Sequence, residues 1–211
     1  MRDFPVFVTE HGVASLTLKE ITYRGIAYIR LQDSLEPELL LKECLDFCTA
    51  AGAQSVFATG HACLEKFPLS NVIIGMQCCV AMLPTSQLEV IPVTRDTFSQ
   101  WQEIYNEKMR RVSNATTITH QDREKLAEGG AYFVRENGTL VGIGMVAEDT
   151  LHAIASLIPG KGRQILAALC GKIRGDTVRL EVSNDNLPAL RLYTAVGFQQ
   201  TGEISRWYRV K

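Results

Sequence analysis

The residues whose types and spacing could do chemistry cluster near the end of the chain. In NLPALRLYTAVGF, Asn186 to Phe198, the apolar Leu187, Leu190 and Val196 recur at helical spacing, with Ala189 and Ala195 between them. One tyrosine, Tyr193, rides on this amphipathic stretch, an Asn-rich SNDN turn opens it, and Gly197-Phe198 stops it. A phenol has a reference pKa of about 10, so at neutral pH it keeps its proton and can donate it. Upstream, Pro159-Gly160-Lys161-Gly162 precedes a second helical stripe. Taken alone it is a turn and a helix start. It is not a P-loop, because no Ser or Thr follows the Gly-Lys pair at the required spacing.

Six cysteines offer thiolate chemistry: Cys44, Cys48, Cys63, Cys78, Cys79 and Cys170. Cys44 and Cys48 are four apart on a predicted helix, and His61-Ala62-Cys63 follows one strand later, as a thiolate-rich metal site could use. No Cys-x-x-Cys pair occurs, however, and each cysteine stands where the periodicity asks for a small apolar residue. They read as core, with neither a metal site nor a disulfide expected. His61 reads as a packed or surface histidine.

These groups need a globular scaffold. A chain of 211 residues, 46% hydrophobic and 21% charged, makes one large domain or two small ones with a real core. A net charge of −1 without a long basic block does not point to nucleic acid or an anionic membrane. No apolar run reaches the roughly 20 residues of a membrane helix. MRDFPVFVTEHG lacks the basic start and apolar stretch of a signal peptide. The expectation is a cytoplasmic protein without nucleic-acid or membrane partners; a homodimer is one assembly the chain allows.

The chain divides at the polar Pro84-Thr-Ser-Gln stretch, giving regions 1–86 and 87–211. In the first, GVASLTL and GIAYIRL are strands separated by KEITYR. A helix follows with Leu41, Cys44, Leu45 and Cys48 on one face, and Gly52 ends it. SVFATG, the short helix ACLEKF and the strand NVIIGMQCCV complete a β-β-α-β-α-β order.

The second region opens with LEVIPVT as a strand. A helix then carries Phe98, Trp101, Ile104 and Tyr105 on one stripe, with basic residues at its C-terminal end. Thr119 to Asp122 forms a capping box for a short helix. AYFVRENGTLVGIGMV is a hairpin about Asn137-Gly138. LHAIASLI, the stripe Ile165, Leu166, Leu169, Cys170 and Ile173, the strand TVRLEV, the Tyr193 helix and EISRWYRV finish the chain. The order β-α-α-β-β-β-α-β-α-β predicts an α/β (α+β) fold: a mixed, largely antiparallel central sheet flanked by helices. Both regions contain helix, glycine turn, strand, polar turn and helix, consistent with an ancient half-duplication.

The run from Val182 to Phe198 resembles the closing motif of the GNAT (N-acetyltransferase) superfamily, a strand followed by N-x-x-A-x-x-L-Y-x-x-x-G-F. Every fixed position is met: Asn186, Ala189, Leu192, Tyr193, Gly197 and Phe198. The resemblance covers residues 88–211, and the first region resembles a degenerate copy without the motif. It implies acetyl-CoA as cosubstrate, its pantetheine arm lying where the family's fourth and fifth strands splay apart. By the same resemblance Asn186 bonds that arm and Tyr193 is the catalytic acid, pointing its phenol at the CoA sulfur. The family's pyrophosphate loop, R/Q-x-x-G-x-G/A, maps onto Leu157, Ile158, Gly160, Lys161, Gly162 and Arg163. Leu157 replaces the Arg or Gln, and the loop is short, with Lys161 and Arg163 left to supply positive charge.

Direct transfer to an amine also wants a base. Candidates are His152, Glu181, Glu148 and Asp149, and strand alternation places His152 beside Ile154 and Ser156. The acceptor, a small-molecule or peptide amine, meets Lys108 to His120 in the family, where Ser113, Asn114, Thr116 and Thr117 suit a mobile loop. Arg110 and Arg111 there read as a solvated helix end. The activity implied is an acetyl-CoA-dependent N-acyltransferase. The alternative is a non-catalytic acyl-CoA-binding module or sensor.

Overall fold

The computed structural model describes residues 5–211. The first four residues, on which the reading of the N-terminus partly rests, lie outside the described residues. The chain begins β1 (Val6–Thr9), β2 (Gly12–Thr17), α1 (Lys19–Arg24), β3 (Ile26–Ser34), α2 (Pro37–Ala50), β4 (Ser55–Thr59) and β5 (Leu69–Cys79). It continues with β6 (Glu89–Pro92), α3 (Phe98–Met109), α4 (Arg123–Ala127), β7 (Ala131–Glu136), β8 (Thr139–Ala147) and β9 (Thr150–Ser156). α5 (Gly162–Cys170), β10 (Thr177–Ser183), α6 (Leu187–Val196) and β11 (Gln199–Arg209) complete it.

Contacts group these elements into two units, Met1–Ile73 with Glu203–Lys211, and Ile74–Gly202. The borders fall inside β5 and β11, not at the polar stretch near residue 86. A polar, proline-bearing segment marks a turn, whereas a strand passes from one unit to the next without a compositional break.

In the first unit β2 pairs antiparallel with β1 and β3, and β3 pairs parallel with β4 at five positions, from Ile26–Ser55 to Arg30–Thr59. The buried Leu40, Leu41, Cys44 and Cys48 of α2 pack on Ala27, Ile29, Leu31, Val56 and Ala58. KEITYR, expected as a connection, is α1. Glu20 and Arg24 pair at i,i+4 spacing, and Gly25 closes the turn at φ 69°. β1 escaped the sequence reading because four residues carry little periodicity. ACLEKF is a 3-10 turn capped by His61, whose Nδ1 accepts the Cys63 N–H.

In the second unit the strand order is β5-β10-β9-β8-β7-β6. Only β9–β10 is parallel among its registered pairs, while β6–β7, β7–β8 and β8–β9 are antiparallel. The predicted element order and largely antiparallel sheet are found. Asn137 and Gly138 both have positive φ, 49° and 81°, as the two-residue hairpin turn requires. The capping box joins Thr119 and Asp122.

One face of this sheet carries α3, with Phe98, Trp101 and Tyr105 buried against Phe133, Ile143 and Ala155. The other carries α5 and α6 over Val178, Leu180 and Val182. Helix α5 comes close because β8 offers Gly142 and Gly144. A Cβ on Gly144 would lie 2.2 Å from Leu169 Cδ1, and one on Gly142 2.7 Å from Ile165 Cδ1. Cys44, Cys48, Cys78 and Cys170 are buried and, like the other two cysteines, unbridged.

Candidate active site

Strands β9 and β10 pair at two positions only, Thr150–Arg179 and Leu151–Leu180, and then run on to Ser156 and Ser183 without pairing to each other. A β-bulge marks the parting. Opposite β8, Met145 faces Ala153 and Val146 faces Leu151, so His152 is the extra residue. The result is a V between parallel strands, open at their C-terminal ends. In the first unit β3 and β4 stay paired at five positions, so no such slot forms there.

A helix starts at each side of the open end. After β9 the Leu157 N–H donates to the Val141 carbonyl and Ser156 Oγ donates to the Ile158 carbonyl, at 2.9 and 2.6 Å. Gly160 then turns at φ 82°, with open space where a Cβ would stand. The first bond inside α5 is Ile165 N–H to Lys161 carbonyl. The N–H groups of Gly162, Arg163 and Gln164 therefore lie ahead of the helical ladder, where an anion can be held. Lys161 Nζ binds Glu136 Oε1 at 2.7 Å, so its charge is partly matched. Arg163 is exposed. Gly162 also lets α5 meet α6, since a Cβ there would lie 3.3 Å from Leu192 Cδ2.

On the β10 side, Asn186 caps α6. Its Oδ1 accepts the Ala189 N–H at 3.3 Å, which leaves the Nδ2 amide as a donor. Tyr193 is buried among Val196, Phe198 and Cys170. Gly197 at φ 107° ends the helix, with Gly197 N–H on the Thr194 carbonyl and Phe198 N–H on the Tyr193 carbonyl. These are the two bonds of a Schellman motif. Burial, and secondarily the Cys170 thiol, push the Tyr193 phenol well above its ordinary pKa. Its hydroxyl makes no hydrogen bond among the described residues.

The GCN5-related N-acetyltransferase of Sphaerobacter thermophilus superposes with TM-score 0.58 at 12% identity, over 94% of this chain and 76% of that one. That of Kribbella flavida gives 0.60 at 11%, over 95% and 58%. The chain has the GNAT fold. N-alpha-acetyltransferase RimI of Mycobacterium tuberculosis is 41% identical over 88 residues, 36% of this chain and 56% of that protein. The chain thus spans about half the length of that curated relative. No family model matches.

Within the GNAT fold the base candidates separate. Leu151 and Ile154 both belong with the α5-side core, so the bulge turns His152 and Ala153 to the α3 side. Simple alternation, which put His152 beside Ile154 and Ser156, fails at the extra residue. Glu181 also lies opposite the buried Leu180 and Val182, hence on the α3 side. His152 and Glu181 are each the first residue beyond the last pair, at the apex of the V, and both are exposed. Glu148 and Asp149 sit instead on the β8–β9 turn at the closed end, where Asp149 pairs with Arg179.

The predicted acceptor loop is tied at two points. Asn106 grips Ile118 through both backbone groups at 2.9 Å, and Gln102 adds a bond to the same carbonyl. Ser113 Oγ donates to Asp185 Oδ2 at 2.5 Å, joining the loop to the turn before Asn186. No local pattern foretells a contact between residues 72 apart. Arg110 and Arg111 are exposed, as read from the sequence. Among the described residues no group of three or more His, Cys, Asp or Glu is placed to hold a metal ion, and no helix is long and apolar enough to cross a membrane.

Proposed function

We propose that this chain is an acetyl-CoA-dependent N-acyltransferase that passes an acetyl group directly to an amine of a small molecule or a peptide. The observation that carries the reading is the V between β9 and β10, with Asn186 and Tyr193 on the helix that leaves it. The relatives named acetyltransferases support it.

The residues present fit the cosubstrate. The N–H groups of Gly162, Arg163 and Gln164 suit the pyrophosphate, with the side chain of Arg163 beside them. Leu157, Ile158 and Gly160 shape the loop, and Asn186 Nδ2 is a donor toward the pantetheine arm. Acetyl-CoA supplies an activated thioester when bound. Tyr193 holds a proton on its phenol oxygen for the departing sulfur, and burial keeps that proton in place at neutral pH. His152 or Glu181, at the apex, takes the proton from the amine. The Ser113–Asp185 tie positions the acceptor loop beside the slot. The first unit, whose parallel strands stay closed, serves a structural role. Cytoplasmic residence suits the unbridged cysteines.

A second reading, an acyl-CoA-binding module without turnover, is favoured by Leu157 in place of Arg or Gln and by the engagement of Lys161 with Glu136. Release of free CoA thiol, measured with acetyl-CoA and a panel of amines and N-terminal peptides, separates the two. Amine-dependent release that falls in Glu181→Gln or His152→Ala supports transfer and identifies the base. Binding without release from any acceptor supports the module.

A further inference from the structure

A cavity of about 570 Å³ opens in the second unit, at the end of α5 away from the Gly160–Gly162 loop. The length of α5 separates the two places by roughly 15 Å. Tyr132, Glu148, Asp149, Lys172 and Arg174 line it, over the bare backbone of Gly129 and Gly130.

The charges around it are unevenly matched. Asp149 is paired with Arg179 and accepts the Thr150 hydroxyl. Glu148, Lys172 and Arg174 make no ion pair among the described residues, and the Tyr132 hydroxyl makes no hydrogen bond among them. Two cations, one anion and a phenol without such partners thus face one hollow, beside the already paired Asp149. The cations stand just past the C-terminus of α5, where the helix dipole favours positive charge. The glycines leave the floor without side chains, so that a ligand can approach the backbone.

A second, stereochemical observation concerns Glu148. Ala147 pairs with Thr150, so Glu148 and Asp149 form a two-residue hairpin turn. Glu148 has φ 53° at its first central position, where such turns favour Gly, Asn or Asp. A residue that breaks the local preference while presenting a charge to a cavity is a candidate for function. The same turn holds the hinge of the V, because the Asp149 carbonyl accepts the Arg179 N–H at 2.8 Å.

We propose that this cavity is a second ligand site, for a small dipolar compound with two carboxylates and one ammonium, that is, an acidic α-amino acid. Lys172 and Arg174 take the carboxylates, Glu148 takes the ammonium, and the Tyr132 hydroxyl donates to a carboxylate oxygen. A ligand of net charge −1 meets unpaired groups of net charge +1. Occupancy braces the turn from which β9 and β10 diverge, so the site is placed to tune the slot.

The test is calorimetric titration of the whole chain with L-glutamate and L-aspartate, against glutarate, which lacks the ammonium, and L-glutamine, which lacks one carboxylate. One of the acidic amino acids should bind saturably and at least tenfold more tightly than either control. Lys172→Ala with Arg174→Ala should weaken it tenfold or more, and Glu148→Gln should abolish the preference over glutarate. Circular dichroism and acetyl-CoA titration of each variant report folding and the other site separately. Lack of saturable binding of either amino acid at millimolar concentration overturns the proposal. So does binding that survives the double substitution in a folded chain.

Discussion

Phe198 donates its backbone N–H to the Tyr193 carbonyl at 3.0 Å and rests its ring 5.7 Å from the Tyr193 ring. Both contacts depend on Gly197, which takes the left-handed conformation that ends α6. The Gly-Phe stop therefore fixes the position of the one phenol on the helix. Replacing Tyr193 by Phe keeps the ring and removes only the hydroxyl. Turnover is expected to fall tenfold or more while acetyl-CoA affinity changes little, as steady-state kinetics and titration together would show. Unchanged turnover would remove Tyr193 as the acid.

Helix α5 must stay close to β8 for its first turn to reach the open end of the slot. Gly144→Val would drive a side chain into Leu169, and a loss of about 1–3 kcal/mol is expected from denaturant unfolding. Leu169→Ala in the same chain should make the added cost of Gly144→Val smaller. Additive losses would show that close approach is not what Gly144 provides.

The Ser113–Asp185 bond ties the proposed acceptor loop to the turn before Asn186. In Ser113→Ala, amide exchange of residues 110–117 should quicken and KM for the amine should rise, with acetyl-CoA affinity kept. Exchange that stays slow would mean the grip of Asn106 on Ile118 suffices to order the loop.

Burial pushes the thiols of Cys44 and Cys170 up to about 12 and that of Cys48 up to about 11, from an ordinary value of 9.0. A raised folded-state pKa means that the folded chain holds these protons longer than the unfolded one. Their stabilising contribution is complete below about pH 9 and is lost as pH rises through 11 to 12. Melting temperature should fall over that window, and less so in Cys170→Ala measured against its own value at neutral pH. At neutral pH a thiol reagent should label exposed Cys79 first and leave these three unmodified.

The sequence showed the scaffold well because its signals were local. Asn137-Gly138, the Thr119 to Asp122 capping box and the stripes of α3 and α5 each act within a few residues, and each element lies where they place it. The motif from Asn186 to Phe198 is legible for the same reason, since cap, helix and Schellman stop are contiguous. What escaped depends on partners distant in the chain. The bulge at His152 is a property of its pairing with β8, so no alternation rule within β9 could find it. The engagement of Lys161 by Glu136 and of Ser113 by Asp185 spans 25 and 72 residues. The unit borders lie within β5 and β11, where composition does not change.

The most direct test of the account is calorimetric titration of the purified chain with acetyl-CoA, with free CoA as the comparison. The slot between β9 and β10, flanked at its open end by the starts of α5 and α6, predicts micromolar binding that weakens when Asn186 is replaced by Ala. Absence of binding at millimolar acetyl-CoA would contradict the account: the backbone at Gly160 to Gly162 would then not hold the pyrophosphate, and the transferase reading would fall with it.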